Sequence, residues 1–186
     1  KKILHAEYLA ETVRQMVFAQ YGQETYTRGL NVFTTVQSAE QMAAYRALRQ
    51  GIMDFERRQI YRGPEKFIDL PVDPKKLDDA IDDVLEDHPD NGDVLSAVVL
   101  EASPRKVVVV RQNGEQISIT GEGLKPAQSG LSDKTPPAKQ VRRGALIRIT
   151  QTSKGAWEIT QLPEVEGALV ALTPQTGAIR ALVGGF

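Results

Sequence analysis

The chain has 186 residues, of which 41% are hydrophobic and 25% charged, and its formal net charge is −1. This length is ample for a buried core in one or two domains. No run approaches the ~20 apolar residues of a membrane-spanning helix. No signal peptide is present, so the chain is either cytosolic or directed by a segment outside it. The chain has no cysteine and two histidines, which argues against a conventional zinc site.

Positive and negative charges are segregated along the chain. Residues 69–101 are rich in carboxylates, balanced only by Lys75 and Lys76, whereas residues 105–154 are mainly basic. Two interpretations are open: the two regions neutralise each other within one fold, or they form an interaction surface. The basic residues are Arg105, Lys106, Arg111, Lys125, Lys134, Lys139, Arg142, Arg143, Arg148 and Lys154.

The first sixty residues predict a helix, a strand and a second helix. An apolar stripe predicts an amphipathic helix over residues 3–20, ended by Gly22. Alternating side chains predict a strand at Leu30–Val36. Ser38 followed by Gln41 is typical of a capping box, which predicts a helix over residues 39–60. The apolar positions of the two helices are Leu9, Val13, Met16 and Val17, then Tyr45, Leu48, Ile52 and Phe55.

The middle of the chain predicts one helix and a β-rich module. Asp73-Pro74 is typical of an N-cap with proline at the first helical position, which predicts an acidic helix over Lys75–Glu86. Asn113-Gly114 predicts a hairpin. The Pro/Gly/Ser-rich segment 121–144 predicts a mobile loop that adds little stability. The predicted strands are Val94–Ala102, Lys106–Gln112, Gln116–Thr120, Ala145–Gln151 and Trp157–Leu162. Five short strands with a long excursion between the third and fourth favour an OB-like barrel.

The last twenty residues predict a β-hairpin. Two apolar runs, Ala168–Leu172 and Ala178–Val183, flank a turn that contains Pro174 and Gly177. Both runs are apolar on both faces, so we expect each strand to be covered on both sides. The chain ends before any segment that could cover them.

Ser103-Pro-Arg-Lys106 matches the S-x-x-K pattern of penicillin-interacting serine enzymes. That chemistry places the lysine one helical turn from the nucleophilic serine. Here Pro104 and the valines that follow predict a turn entering a strand, where the two side chains cannot converge. The companion K-T-G is also missing, because Lys134-Thr135 continues into proline. We therefore interpret this match as coincidence.

The other short motifs have simpler structural explanations. Asp87–Gly92 resembles a calcium loop, but its third and twelfth positions lack the required ligands, so a helix-ending turn is favoured. His5 and His88 have no suggestive partners and are interpreted as surface histidines. Gly121 and Gly123 lack the context of a phosphate loop.

A basic OB-like barrel raises the hypothesis of polyanion or single-stranded nucleic-acid binding, with Lys139, Arg142 and Arg143 as contacts. Such binding depends on aromatic stacking platforms. Trp157 is the only aromatic residue between Phe67 and Phe186, and a lone tryptophan on a small barrel is usually part of the core. We therefore keep this function as an alternative.

Segments at both ends of the chain resemble class A penicillin-binding proteins, the bifunctional peptidoglycan synthases. Tyr8–Gly22 resembles the helix by which these enzymes leave the glycosyltransferase domain. Arg28–Val36 resembles their first transpeptidase strand, and Gly167–Phe186 the hairpin that resumes that domain. Tyr61–Pro64 is similar to the exit of their first transpeptidase helix. Many members from Gram-negative bacteria carry an OB-like domain inserted at this point.

The resemblance implies an α+β fold in which a five-stranded OB-like barrel is inserted into a small helix-and-sheet framework. The strand at 30–36 and both hairpin strands would share one sheet, with the helix at 39–60 packed on it. The expected division is a linker helix (1–27), the first transpeptidase strand and helix (28–60), the OB-like domain (61–163) and a truncated transpeptidase hairpin (164–186).

The resemblance also implies a function. The glycosyltransferase motifs and the catalytic S-x-x-K, S-x-N and K-T-G elements are absent, so no catalytic, cofactor or metal-binding role is carried onto any residue. We expect a non-catalytic interaction or spacing module of a synthase on the periplasmic side of the inner membrane, acting in cell-wall synthesis and cell shape. Its expected partners are the remaining transpeptidase and glycosyltransferase domains and an envelope regulatory protein, with the membrane anchor outside this chain.

Overall fold

The computed structural model describes residues 4–186, and every structural statement below refers to that part of the chain. The chain forms two compact units: Lys1–Phe55 together with Pro163–Phe186, and Glu56–Leu162. No helix within residues 4–186 is both long enough and apolar enough to cross a membrane.

The first unit contains two helices and a hairpin. Helix α1 (Glu7–Tyr21) is followed by a 3₁₀ helix (Gly22–Tyr26), and helix α2 comprises Ser38–Glu56. Helix α1 ends at Gly22 as predicted: this glycine has a φ of 56°, and its N–H donates to the Phe18 carbonyl. A positive φ strains any residue with a Cβ, so glycine is favoured at this position.

The predicted hairpin is present. Its strands are β7 (Gly167–Leu172) and β8 (Ile179–Gly185), which follow the six strands of the second unit in chain order. The two strands pair antiparallel, and Gly177 closes the turn with a φ of 72°. One face packs on α2, where Ala44 is buried with Ala181 and Val183. The hairpin and its packing partner are therefore those expected from the sequence.

The opposite face of the hairpin is covered only in part by the described residues. Val170 is 52% exposed, and Leu172 and Ile179 are also exposed. Helix α1 covers part of this face, because the Tyr8 ring lies against Gly184 of β8.

The predicted strand at Leu30–Val36 does not form, so the three-stranded sheet is also wrong. Next to this segment, one backbone hydrogen bond, from Gln37 N to Arg180 O (2.9 Å), connects the chain to β8. A β ladder requires repeated pairs along both strands. Phe33 is 94% exposed. The alternating side chains of this segment therefore do not produce a buried face, and a strand here would gain no stability from packing.

The capping box predicted at Ser38 is also wrong. The N–H of Gln41 donates to the carbonyl of Gln37, so the first turn begins one residue earlier. The Gln41 side chain is fully buried and reaches backbone groups elsewhere. Its amide N–H donates to the carbonyls of His5 and Leu182, and its oxygen accepts from the Leu182 N–H, all at 2.9 Å.

The second unit is built on one antiparallel sheet. The sheet order is β1-β5-β2-β3-β4, and β6 also pairs with β5. Strand β2 pairs with β5 across Leu146–Ile149, whereas β1 and β6 pair with successive parts of β5, so they share its other edge. The strands are β1 (Lys66–Phe67), β2 (Leu95–Ser103), β3 (Lys106–Val110), β4 (Gln116–Thr120), β5 (Ala145–Gln151) and β6 (Trp157–Thr160).

All five predicted strands of the module are present, and their order agrees with the OB-like interpretation. The Asn113-Gly114 hairpin joins β3 to β4 as predicted. The sequence did not indicate β1, which has only two residues. The barrel is open, because no ladder joins β4 to β6 within the described residues.

The sheet buries a core on each face. The inner core contains Val99, Val109, Ile119, Ile147 and Ile159, all essentially without solvent contact. On the outer face, helix α3 (Pro74–Asp87) buries Ile81, Val84 and Leu85 against Val98, Val110 and Leu146. Helix α3 starts as predicted, because the Asp73 carboxylate accepts from the N–H of Lys75 at 3.0 Å.

The segment 121–144 is not the irregular, dispensable loop that its composition predicts. Residues Gly121–Gly130 form 3₁₀ helix, with a kink at Ala127. Leu124, Leu131 and Val141 are buried in the inner core, so the segment covers the open side of the sheet. Glycine permits this close packing, since a Cβ on Gly123 would lie 2.2 Å from the carbonyl oxygen of Trp157.

A partly buried ion pair joins three distant segments of the second unit. Arg148, on β5, donates to both carboxylate oxygens of Glu65 at 2.7 and 3.0 Å and to the Pro89 carbonyl at 2.7 Å. Such a bidentate pair fixes both the distance and the orientation of its partners.

Candidate functional site: polar surfaces and the junction of the second unit

The structure places the two residues of the S-x-x-K match in a turn between two strands and not one turn apart on a helix. Ser103 and Lys106 face each other across the β2–β3 turn. The Ser103 hydroxyl accepts from the Lys106 N–H at 3.1 Å and donates to the Lys106 carbonyl, also at 3.1 Å. The hydroxyl is thus bonded to backbone, and this geometry is that of a turn.

Asp87–Gly92 forms the turn that ends α3. The His88 ring is bonded through Nδ1 to the Val84 carbonyl at 2.9 Å. The Asp90 carboxylate accepts from the Ser96 N–H at 2.8 Å and from Arg111 at 2.7 Å. These bonds occupy the carboxylate that a calcium site would need. Across residues 4–186, no group of three or more potential metal ligands occurs.

The other histidine packs against an aromatic ring. His5 stacks on Tyr45 with ring centroids 3.9 Å apart and planes 4° apart, and its Nδ1 lies 3.5 Å from Glu7. This arrangement holds the chain before α1 against α2.

Trp157 contributes to the core. It is half-buried and packs on the inner cluster, and its carbonyl lies against Gly123. A ring in this position offers no free stacking platform for a base, so this arrangement does not favour nucleic-acid binding.

Two of the basic residues proposed for polyanion binding, Arg142 and Arg143, do not converge. The Arg142 guanidinium lies 4.3 Å from the centre of the Phe67 ring on β1. Arg143 donates to the carbonyl of Leu100 at 3.1 Å, next to the bulge in β2. Since β1 and β2 flank opposite edges of β5, the two guanidiniums point apart.

The outer face of α3 is a strip of exposed carboxylates. None of them forms an ion pair with a described residue, so the acidic helix does not neutralise the basic strands through direct pairs. The strip comprises Asp78, Asp79, Asp82, Asp83, Glu86 and Asp87. Their charge therefore faces solvent, as an interaction surface would require.

Tyr61 anchors the chain as it enters the second unit. Its ring is buried against Gly130 and Val141, and its hydroxyl has no partner among the described residues. Burial, reinforced by the charge of Glu65, raises the pKa of Tyr61 well above its ordinary value. This tyrosine therefore stays neutral and serves packing.

The sequence did not indicate a polar cluster at the two ends of the second unit. Glu56 is 2% exposed, and its carboxylate accepts from Arg62 and from the Gln161 amide, each at 2.7 Å. Gln161 Oε1 accepts from the Arg62 N–H at 2.9 Å. Arg57 pairs with the buried Glu158. We call Glu56, Arg57, Arg62, Glu158 and Gln161 the junction cluster.

The only sequence signal for the junction cluster was the charged run Glu56-Arg57-Arg58 at the end of a predicted helix. Such runs usually mark a solvated surface. The partners lie about a hundred residues further along the chain, and no local pattern connects them.

Comparison with known proteins identifies the family to which this chain is similar. The family model described as the penicillin-binding protein OB-like domain matches residues 61–165. Penicillin-binding protein 1A from Neisseria lactamica is 38% identical over 97% of this chain, and that from Escherichia coli (strain K12) is 34% identical over 97%. The chain spans 23% and 22% of the length of these curated relatives.

The solved structures give the same result. The 2.6 Å crystal structure of penicillin-binding protein 1A from Haemophilus influenzae matches with a TM-score of 0.79 and 30% identity. The match covers all of this chain and 26% of that one. The mixed α and β architecture with an OB-like domain is thereby confirmed, and the chain belongs to the penicillin-binding proteins that carry this domain.

Proposed function

We propose that the chain is a non-catalytic accessory region of a bifunctional peptidoglycan synthase with glycosyltransferase and D,D-transpeptidase activities. The OB-like domain is an interaction or spacing module, and the synthase works on the periplasmic side of the inner membrane. Residues 61–163 are the inserted domain, and residues 28–60 and 164–186 belong to the transpeptidase domain.

The observation that carries this proposal is the likeness to penicillin-binding protein 1A over 97% of the chain. It is supported by the geometry at Ser103, whose hydroxyl is bonded to the backbone of its own turn. The exposed carboxylates of α3 are consistent with an interaction surface, and the exposed hairpin face around Val170 fits a position beside further transpeptidase structure.

Covalent labelling by a fluorescent penicillin tests the absence of catalysis. We expect no label on the purified chain under conditions in which full-length Escherichia coli penicillin-binding protein 1A is labelled. Stable acylation at Ser103, abolished by Ser103→Ala, would overturn the proposal.

Replacement of the OB-like domain tests the accessory role. In the full-length Escherichia coli relative, the segment aligned with residues 61–163 is exchanged for a short Gly/Ser linker. We expect the purified protein to retain penicillin labelling and glycan polymerisation, while complementation in cells is lost. Loss of both purified activities in a folded protein would instead place the segment in the catalytic machinery.

Polyanion binding is the rival function, and the divergence of Arg142 and Arg143 does not favour it. Anisotropy with a labelled oligothymidylate and with polyphosphate separates the two functions. A site that uses ~3–4 phosphate contacts would bind at low salt and weaken steeply as salt rises. We expect no saturable binding of either probe.

A further inference from the structure

The junction cluster connects the first and last segments of the second unit. Residues 56–62 lead into the unit and residues 158–162 lead out of it. Three of its contacts cross between these segments: Glu56 and Arg62 each with Gln161, and Arg57 with Glu158.

Side chains carry this connection. Residues 56–62 do not form a strand, and the bonds given above between them and segment 158–162 all involve a side chain. Arg62 also donates from Nη2 to the Leu162 carbonyl at 2.6 Å. The two segments are therefore not neighbouring strands, and their separation depends on a small number of polar side-chain contacts.

The contacts depend on one another. The Gln161 amide donates to Glu56 and accepts from the Arg62 N–H, while Arg62 itself pairs with Glu56. Loss of Arg62 or Gln161 takes a donor from the Glu56 carboxylate, which is 2% exposed, and loss of Glu56 takes an acceptor from both. Because an unpaired buried carboxylate or amide is costly, the contacts are expected to break together.

We propose that the junction cluster is a positioning device that makes the incoming and outgoing segments open and close as one. The first and last segments of the second unit then open together, not independently. This inference concerns the second unit alone and does not depend on the proposed function.

Hydrogen exchange read by mass spectrometry on the full chain tests the proposal. For Glu56→Gln, we expect exchange to rise roughly tenfold in segment 158–162 as well as in 56–62, since local opening exposes both. The reciprocal variant Gln161→Leu should raise exchange in segment 56–62. Helix α3 and strands β2 and β3 should keep their protection.

The matched control is Glu122→Gln, which removes the exposed ion pair with Lys125 in the same unit and should change neither segment. If Glu56→Gln fails to fold, Arg62→Met gives the same readout, because it removes one of the two donors to Glu56 and its own side chain is one third exposed. Faster exchange confined to the substituted segment, or raised equally through the unit, would overturn the proposal.

Discussion

At the scale of single residues, Gln41 determines how the first unit closes. Its side-chain amide forms hydrogen bonds with both the N–H and the carbonyl of Leu182. These are the backbone groups that a neighbouring strand would otherwise pair with at this position of β8. The same amide bonds the carbonyl of His5 and thereby holds the segment before α1. A fully buried glutamine is tolerated here because its donors and acceptor all have partners.

Replacement of Gln41 by leucine should therefore destabilise the first unit. The change keeps the approximate volume but leaves the buried polar groups of Leu182 without partners. We expect a loss of about 2–4 kcal/mol in the free energy of unfolding, measured by urea titration with circular dichroism. Gln50→Leu, on the exposed face of the same helix, is the control and should cost under about 0.5 kcal/mol. Equal effects of the two changes would contradict this role.

A second residue-scale prediction concerns acid. Hydrogen bonds from Arg180 hold the pKa of Glu40 below its ordinary value of 4.5. A carboxylate with a lowered pKa stabilises the fold above its unfolded pKa, and this contribution is lost as pH falls through the lowered value. The urea midpoint of the wild type should therefore be higher than that of Glu40→Gln at pH 7. The difference between the two midpoints should become smaller below pH 4.5.

Arg180→Gln is the matched variant for this pair and should reproduce the same pH profile. Both side chains are partly exposed, so the gap should be small and should decrease in 1 M salt. A gap that is constant from pH 7 to pH 2.5 would show that the pair does not contribute through ionisation.

At the scale of secondary-structure elements, the 3₁₀ helix Gly121–Gly130 acts as part of the core. It approaches β6 so closely at Gly123 that there is no room for a side chain. Leu124 and Leu131 bury their side chains beside it. The glycine and proline content that suggested disorder is instead what allows a tight helix to reach the sheet.

Gly123→Ala should consequently destabilise the second unit by about 1–3 kcal/mol through overpacking. The single tryptophan, Trp157, lies at the contact and reports unfolding by fluorescence. Gly51→Ala is the control: this position in α2 has open space around it, and alanine should stabilise the helix by about 0.5–1 kcal/mol. An unchanged fluorescence midpoint for Gly123→Ala would show that the 3₁₀ helix can shift to accept the methyl group without a loss of stability.

Elements with a local signal could be predicted from the sequence. The N-cap at Asp73, the Asn113-Gly114 hairpin and the glycine that ends α1 each depend on neighbouring residues alone. Leu30–Val36 has a strand pattern without a ladder to join, and β1 is too short to show a period. The burial of residues 121–131 depends on a gap in the sheet, which is a property of the tertiary structure.

The residues of the candidate site also differ in whether a local sequence signal could predict their structure. The turn and strand at Ser103–Lys106 could be predicted, because Pro104 and the valines that follow are a local signal for them. The sequence could not indicate Glu56 with Gln161, since glutamate and glutamine at the ends of predicted elements usually face solvent. Their pairing requires the whole sheet between them to be in place.

At the scale of the whole molecule, the two units have separate buried clusters. Ala44, Ala181 and Val183 form one cluster in the first unit, whereas Leu146 belongs to a cluster of the second. Cores without shared residues give independent contributions to stability.

Leu146→Ala should therefore act on one unit only. Removal of this fully buried side chain should cost about 2–5 kcal/mol in the Trp157-detected unfolding of the second unit. Hydrogen-exchange protection of β7 and β8 should stay unchanged. Exposed Leu172→Ala is the control and should leave the fluorescence midpoint in place. Parallel loss of protection in the hairpin would show that the chain unfolds as a single cooperative body.

The ion pair of Arg148 has a consequence for the order of folding events. Glu65 is 83 positions away in the sequence, so the pair forms only after a long loop has closed. We expect this to happen after the rate-limiting step of folding. Arg148→Met should therefore accelerate unfolding while leaving the refolding rate nearly unchanged. Stopped-flow traces of Trp157 fluorescence measure both rates. Slower refolding would mean that this distant pair already guides the transition state.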